Sequence, residues 1–162
     1  MTIAVGDTLP DATFVAIGPN GPEPKSTSDI FGGRKVALFA VPGAFTPTCS
    51  LNHLPSFVNN AEALAAKGID AIVCVSVNDP FVMKAWGESS GAAAAGLHML
   101  ADPQAEFTKA LGLDFTAPPA GLINRSKRYS MVVEDKVVTA FNLEETPGNA
   151  EISSGDAMLA AL

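Results

Sequence analysis

The sequence predicts an α/β protein in which helices cover both faces of one mixed central sheet. Short apolar runs with the length of buried strands recur along the chain, and segments with helical periodicity separate them. Such strand–helix–strand units place consecutive strands parallel, with a right-handed crossover. Near the C-terminal end, two alternating segments predict a hairpin, which adds antiparallel strands to the sheet.

Two strands are predicted in the N-terminal part of the chain. Residues 13–17 (T-F-V-A-I) form a short strand, and residues 36–41 (V-A-L-F-A-V) form a continuous apolar run that is typical of a strand buried on both faces. Residues 18–28 lie between them and are rich in proline and glycine. We therefore expect an irregular loop there, because these residues interrupt regular structure.

A long helix is predicted to follow the strand at 36–41. It starts at about Pro47, and its apolar residues recur at spacings of three and four positions until Gly68 ends it as a C-cap. Pro55 lies inside this helix and lacks a backbone N–H donor, so a bend is expected there. Residues 69–77 (I-D-A-I-V-C-V-S-V) then form a second buried strand.

Two aspartate–proline pairs predict helix starts, since aspartate caps a helix N-terminus and proline suits the first helical position. Asp79-Pro80 opens a helix that runs through Trp86. Asp102-Pro103 opens another helix, which extends to about Leu111. Residues 97–100 form a short strand between these two helices.

The C-terminal part is predicted to contain a loop, a hairpin and a helix. Residues 113–124 are rich in proline and glycine and are predicted to be a loop. Residues 129–134 and 137–142 alternate and are separated by a short polar turn, so they form the hairpin. Ser154 starts a final helix that ends at Leu162.

Composition and charge limit the possible functions. The chain has 162 residues, of which 48% are hydrophobic and 17% charged, which fits one soluble domain over residues 1–162. Ten basic and 17 acidic residues give a net charge of −7. This excess of acidic residues argues against nucleic acid and anionic membranes as partners, because phosphate binding requires a clustered basic surface. No run approaches the length of a membrane span.

The N-terminus and the cysteines indicate the compartment. The first residues lack a basic start followed by an apolar stretch, so we expect no targeting peptide and a cytoplasmic protein. In that compartment Cys49 and Cys74 are thiols at rest. Together with His53 and His98, these cysteines do not have the spacing of a zinc ligand set. The sequence therefore predicts no metal and no cofactor.

The stretch P-G-A-F-T-P-T-C-S lies between a predicted buried strand and a predicted helix. Free N–H groups and the positive end of the helix dipole meet there, so a thiolate at Cys49 would be stabilised and reactive. Thr46 has a hydroxyl that can point at the sulfur or at a bound substrate, and Pro42 stiffens the loop. A free cysteine is nevertheless often a buried apolar residue, so position alone leaves packing and chemistry open.

The whole string, followed by His53-Leu54-Pro55, resembles the active-site motif of the peroxiredoxins, in their type II or peroxiredoxin five-like branch. The resemblance continues over residues 76–86 (S-V-N-D-P-F-V-M-K-A-W), 110–113 (A-L-G-L) and 128–135 (R-Y-S-M-V-V-E-D), and it spans nearly the whole chain. It implies a thioredoxin-like fold. It also implies thiol-dependent reduction of hydrogen peroxide and organic hydroperoxides.

The resemblance assigns roles to four residues. It implies that Cys49 is the peroxidatic cysteine, that the Thr46 hydroxyl hydrogen-bonds the peroxide, that Pro42 shields the sulfur and that Arg128 is the active-site arginine. The chemistry fits these residue types, because attack of the thiolate on a peroxide oxygen yields a sulfenic acid and leaves charge on the departing oxygen. A hydroxyl, backbone N–H groups and a guanidinium stabilise that charge.

Two further residues have open roles. Arg125 is either an exposed surface charge or a support for Arg128. His53 lies four residues after Cys49 on the same helix face and is either an acid or base for the thiol or a structural anchor.

Cys74 is either a core residue or the cysteine that resolves the sulfenic acid of Cys49. It lies in a buried apolar run, and the C-terminal region that carries a resolving cysteine in some relatives reads E-I-S-S here. We therefore favour a one-cysteine cycle, in which glutaredoxin with glutathione, or thioredoxin, reduces Cys49.

Two points about the assembly and the activity stay open. The resemblance implies a homodimer, with Phe45 and the Phe81 segment near the twofold contact. The same reactive thiol could also serve a non-enzymatic peroxide sensor or redox relay that passes oxidation to a partner protein. A thioredoxin-type reductase is less suitable, because it needs Cys-x-x-Cys and this chain has Thr46 in place of the first cysteine.

Overall fold

A computed structural model describes all residues from Met1 to Leu162. The chain contains nine strands and six α-helices. The strands are β1 Thr13–Gly18, β2 Gly21–Ser26, β3 Lys35–Val41, β4 Ala71–Ser76, β5 His98–Ala101, β6 Asp114–Ala117, β7 Leu122–Ser126, β8 Tyr129–Glu134 and β9 Val137–Leu143. The helices are α1 Thr27–Phe31, α2 Leu54–Asn59, α3 Ala61–Ala66, α4 Pro80–Ser89, α5 Glu106–Ala110 and α6 Gly155–Ala161.

Seven strands form one mixed sheet in the order β2-β1-β5-β4-β3-β8-β9. The three central strands are parallel, and the strands on either side of them run antiparallel. β6 and β7 form a separate antiparallel pair. None of the helices combines the length and the apolar composition that crossing a bilayer requires.

Alternation along β3 separates two apolar cores. Val36, Leu38 and Ala40 point to one face, where they pack with residues of β1, α1 and α5. Ala37 and Phe39 point to the opposite face, where they pack with α2, α3, α4 and α6. Helices therefore cover both faces of a mixed sheet, as the sequence predicts.

The predicted loop at 18–28 is wrong, because the structure has β2 and α1 there. β2 is an edge strand, and its prolines pair with β1 at Pro22–Ile17 and Pro24–Val15. Proline is tolerated in an edge strand, since the missing N–H can face solvent. The predicted loop at 113–124 is also wrong, because β6 and β7 pair there. The prolines lie in the short 3₁₀ turn that connects the two strands, so they do not interrupt either strand.

Two helix predictions require correction. The helix expected from about Pro47 to Gly68 is divided at Asn60, where α2 ends and α3 begins. The helix expected at Asp102-Pro103 starts only at Glu106. The Asp102 carboxylate still serves its first turn, because Oδ2 accepts hydrogen bonds from the backbone N–H and the hydroxyl of Thr108, at 2.9 and 2.7 Å.

Candidate active site

The loop between β3 and the helical segment before α2 carries the predicted motif. β3 ends at Val41, and Pro42 and Gly43 are buried directly after it. The Asn78 side chain, which follows β4, accepts a hydrogen bond from the backbone N–H of Ala44 at 3.0 Å. Because β3 and β4 are parallel, their C-terminal ends lie side by side. The Asn78 side chain after β4 can therefore hold the loop that follows β3.

A π-helical turn over Cys49–His53 positions the cysteine. The backbone N–H of Leu54 donates to the carbonyl of Cys49, five residues earlier, instead of four as in an α-helix. Pro55 follows and has no N–H to continue an α-helical pattern. The bend predicted at Pro55 therefore takes the form of a wider turn just before it, and Cys49 lies at the start of that turn.

Cys49 is fully buried, and its sulfur contacts a charged side chain. Arg128 Nη2 donates a hydrogen bond to Cys49 Sγ at 3.0 Å. The other neighbours of Cys49 are apolar residues of the core beneath α2 and α4. A cysteine that serves only packing needs no guanidinium, so this contact distinguishes Cys49 from a structural residue.

The Arg128 side chain is only 2% exposed, and its guanidinium makes three hydrogen bonds inside the protein. Nε donates to the carbonyl of Pro147 at 2.9 Å, Nη1 lies 3.0 Å from His53 Nδ1, and Nη2 contacts the sulfur. No ion pair in the structure includes Arg128. A buried cation without a carboxylate partner is costly, so Arg128 would stabilise negative charge that develops at the sulfur.

His53 contacts Arg128 and not the sulfur. Its Nε2 lies 2.9 Å from the Ser153 carbonyl, which can only accept, so Nε2 carries the proton. Its Nδ1 then accepts from Arg128 Nη1, which can only donate. Burial, with Arg128 as the second cause, lowers the pKa of His53 to about 3. The ring is therefore neutral at ordinary pH, and the geometry favours the anchoring role over proton transfer to the thiol.

Glu144 and Ser153 belong to this site although the sequence does not single them out. Glu144 is 8% exposed, and its Oε1 accepts hydrogen bonds from the backbone N–H of Glu151 and from the backbone N–H and hydroxyl of Ser153, at 2.7 to 2.9 Å. This carboxylate holds the segment whose Ser153 carbonyl orients His53. In the sequence, Glu144 is followed directly by Glu145, and adjacent acidic residues are usually exposed. No local pattern therefore identifies Glu144 as a site residue.

Arg125, Pro42 and Thr46 surround the loop. Arg125 is half-buried, and its Nη1 donates to the Pro42 carbonyl at 3.3 Å, so it supports the loop and does not contact Arg128. The Thr46 hydroxyl donates to the Gly43 carbonyl at 2.7 Å. This bond uses the hydroxyl proton and leaves the oxygen lone pairs to accept a hydrogen bond from a ligand.

Cys74 lies in the centre of β4, with Phe39 and Met99 as its partners on the neighbouring strands. It is fully buried and belongs to the same apolar core as Cys49. Burial raises the pKa of the Cys74 thiol well above its ordinary value, and the nearby Cys49 raises it further. Both cysteines are free.

Comparison with known proteins places this site in a family. Residues 4–159 match the family model described as Redoxin. Peroxiredoxin-2E-2, chloroplastic, from Oryza sativa subsp. japonica is 52% identical over 165 residues, which cover 99% of this chain and 73% of that protein. Peroxiredoxin-2B from Arabidopsis thaliana is 45% identical over 99% of this chain and 98% of its own length. The chain belongs to the peroxiredoxins, in their type II branch.

A solved structure agrees with this assignment. Reduced Prx3 from Vibrio vulnificus, in complex with hydrogen peroxide, superposes with a TM-score of 0.92 at 49% identity, over 99% of both chains. The predicted thioredoxin-like fold is therefore confirmed. As a peroxiredoxin, this protein is a thiol peroxidase, an oxidoreductase that takes peroxides as substrates and a thiol as reductant.

Proposed function

We propose that this peroxiredoxin reduces hydrogen peroxide and organic hydroperoxides through Cys49, with Arg128, Thr46 and Pro42 as the surrounding site. The single observation that supports this assignment is the 3.0 Å hydrogen bond from Arg128 Nη2 to Cys49 Sγ. Arg128 has no carboxylate partner, so it places a permanent positive charge beside the sulfur, and a thiolate is the nucleophile in peroxide reduction.

The first step is attack of the Cys49 thiolate on one oxygen of the hydroperoxide. An S–O bond forms while the O–O bond breaks, the sulfur is oxidised to a sulfenic acid, and the peroxide is reduced to an alcohol or, from hydrogen peroxide, to water. The departing oxygen carries negative charge until it takes a proton. Arg128 is the permanent cation beside it, and preorganised donors of this kind lower such barriers most.

Thr46 and Pro42 orient the substrate. Because the Thr46 hydroxyl donates to the Gly43 carbonyl, its oxygen accepts the hydrogen bond from the peroxide O–H. Pro42 is buried beside the loop and keeps water from the sulfur. Cys49 is itself fully buried, so a peroxide reaches the sulfur by passing the loop residues 42–46.

Regeneration follows a one-cysteine cycle in this proposal. Cys74 is a poor resolving residue, because an attacking thiol must be a thiolate and its raised pKa keeps Cys74 protonated at neutral pH. An external thiol instead attacks the sulfenic acid and releases water, which leaves a mixed disulfide on Cys49. A second external thiol then reduces that disulfide and restores the Cys49 thiol, so two thiols are oxidised for each peroxide.

The external reductant in this proposal is glutaredoxin with glutathione, or thioredoxin, and the compartment is the cytoplasm. Turnover measured in parallel with each reductant system, at equal peroxide, identifies the one that supports the cycle. Fractionation of the source cells with an antibody against the chain checks the compartment.

Matched cysteine variants test the cycle. Cys49→Ser is expected to abolish peroxide consumption, whereas Cys74→Ser retains most of the turnover with glutaredoxin and glutathione. Turnover in Cys49→Ser contradicts the assignment of Cys49, and loss of turnover in a folded Cys74→Ser variant makes Cys74 the resolving cysteine. Wild-type protein that stops after about one equivalent of peroxide with excess reductant is a sensor or relay instead.

A further inference from the structure

A second cleft, separate from the thiol site, lies where β1 and β5 of the central sheet move apart. β1 and β5 are neighbours, yet only Val15 and Ala101 pair across them. Beyond that pair the two strands diverge, and a cleft of about 410 Å³ is lined there by Ile17 of β1 and by Met99 of β5, among others. Its volume lies within the usual range of small-molecule sites. Trp86 and the active-site loop do not line it.

The cleft gathers basic side chains in an acidic protein. Lys25, Arg34, Lys84 and His98 line it, although the chain carries a net charge of −7. Burial lowers the pKa of His98, and the positive charges of Arg34 and Lys25 lower it further, so both cations lie near the His98 ring.

Among the lysines and arginines of the cleft, only Arg34 has no ion pair, since Lys25 pairs with Glu23 at 3.6 Å. Glu88 pairs with Lys84 at 3.2 Å, and Asp29 accepts the backbone N–H of Ser26 at 2.9 Å in the cap of α1. Arg34 makes no ion pair, and its Nη1 donates only to the Ile30 carbonyl, at 3.2 Å. The remaining guanidinium donors of Arg34 are thus available to a ligand.

Apolar side chains form the other wall. Ile17, Leu97 and Met99 lie there, and α4 approaches closely because position 87 is glycine: a Cβ at Gly87 would lie 2.7 Å from Met99 Cγ. A cleft with one cationic and one apolar wall suits a ligand that has a negatively charged group and a hydrocarbon group.

We propose that this cleft binds a small amphipathic organic anion, whose carboxylate or phosphate group contacts Arg34, Lys25 and His98 and whose hydrocarbon part packs against Ile17, Leu97 and Met99. Arg34 supplies the fork of donors that suits either oxyanion. This function is separate from peroxide reduction and does not depend on Cys49.

The test uses octanoate and octyl phosphate as probes of the full-length reduced protein. Each is titrated by calorimetry, and the His98 ring is followed by NMR. Saturable binding at one site is expected, together with a rise in the pKa of His98, since an anion favours the protonated ring. The only other histidine, His53, lies buried in the thiol site, and its signals should not change.

Variants and control ligands make the outcome decisive. Arg34→Gln and Lys25→Gln are each expected to weaken octyl phosphate about tenfold or more, as loss of a charge-assisted contact predicts. Lys67→Gln changes the net charge equally at an exposed position outside the cleft and should have no effect. Equal affinity for 1-octanol, equal affinity for inorganic phosphate, unchanged binding in both cleft variants, or no saturable binding would each overturn the proposal.

Discussion

At the scale of single residues, the sulfur, the guanidinium and the imidazole form one chain of hydrogen bonds with a defined direction. The Ser153 carbonyl fixes the proton of His53 on Nε2, so Nδ1 accepts from Arg128, and Arg128 then donates to Cys49. Arg128 is the member of this chain that places positive charge against the sulfur, and the acceptors Nδ1 of His53 and the Ser153 carbonyl hold the guanidinium and the ring in position. His53 and Arg128 are both buried, which strengthens these contacts.

Arg128→Lys tests whether the geometry of the guanidinium matters as well as its charge. A lysine cannot contact Pro147, His53 and Cys49 together, so we expect the reaction with hydrogen peroxide to slow by about a hundredfold. Trp86, the only tryptophan, donates to Ser50 Oγ at 3.1 Å and supplies a fluorescence signal beside Cys49 for stopped-flow measurement. Lys127→Gln is the control, and a wild-type rate in folded Arg128→Lys would contradict the role.

His53 predicts a specific dependence of stability on pH. Its pKa is about 3 in the folded chain but near 6.5 when unfolded, so the unfolded state binds a proton first as the pH falls. The stability that the neutral ring provides is present above about pH 6.5 and decreases toward pH 3. Between pH 7 and pH 5, the wild type should lose about 2 kcal/mol more unfolding free energy than His53→Gln.

Urea unfolding at the two pH values measures this difference. Comparing variants at the same pH cancels the titration of the carboxyl groups. His98→Gln is the control, because it removes the other histidine, which is less buried than His53, and this variant should keep most of the wild-type loss. Equal losses in wild type and His53→Gln would show that folding does not lower the pKa of His53 and would contradict the prediction.

At the scale of elements, the packing of α6 on α2 supports the thiol site from behind. The backbone N–H of Gly155 donates to Ser56 Oγ at 2.9 Å, and a Cβ at Gly155 would collide with the Ser56 carbonyl. α6 follows directly after Ser153, whose carbonyl orients His53. The close approach of these two helices therefore positions the end of the hydrogen-bond chain.

Gly155→Ala tests this contact. The added methyl group should force the helices apart and lower the unfolding free energy by about 1–3 kcal/mol, despite the better helix propensity of alanine. Gly148→Ala is the matched control, because a Cβ at Gly148 meets no atom within 4 Å. Denaturant unfolding of both variants measures the effect, and equal stabilities would contradict it.

At the scale of the whole molecule, apolar side chains remain on the surface near the thiol site. Phe45 is 53% exposed in the active-site loop, and its ring centroid lies 6.3 Å from that of Trp86 in α4. Phe81 is 62% exposed in the first turn of the same helix. Phe45 packs against α4 and Phe81 belongs to α4, and exposed large apolar groups favour an interface, so we propose a homodimer through this surface.

Phe81→Lys is expected to shift that dimer to monomer in sedimentation velocity at micromolar concentration, since it places a charge in the proposed contact. Val5→Lys makes the same kind of change at a position that is 59% exposed, in the N-terminal segment beside β9, and should leave the mass unchanged. A wild-type protein that sediments as a monomer would contradict the proposal.

The sequence by itself determined the layers of the fold and the position of the reactive cysteine. Apolar alternation in residues 36–41 determines which side chains face each core, and the motif around Cys49 lies at a strand end followed by a helix. These features depend on local periodicity and on residues that are adjacent in the chain, so they can be predicted from the sequence.

Only the tertiary structure decided how the site is completed. The family resemblance identifies Arg128, but only the structure shows that it contacts Cys49, 79 positions away. The structure also shows that a carbonyl 100 positions away sets the tautomer of His53, and it reveals Glu144, which has no local signal in the sequence. The same holds for β2, whose prolines are compatible with a strand only because β2 lies at the edge of the sheet. Contacts between distant segments decide these features, because a side chain's donors, acceptors and burial depend on what the fold brings beside it.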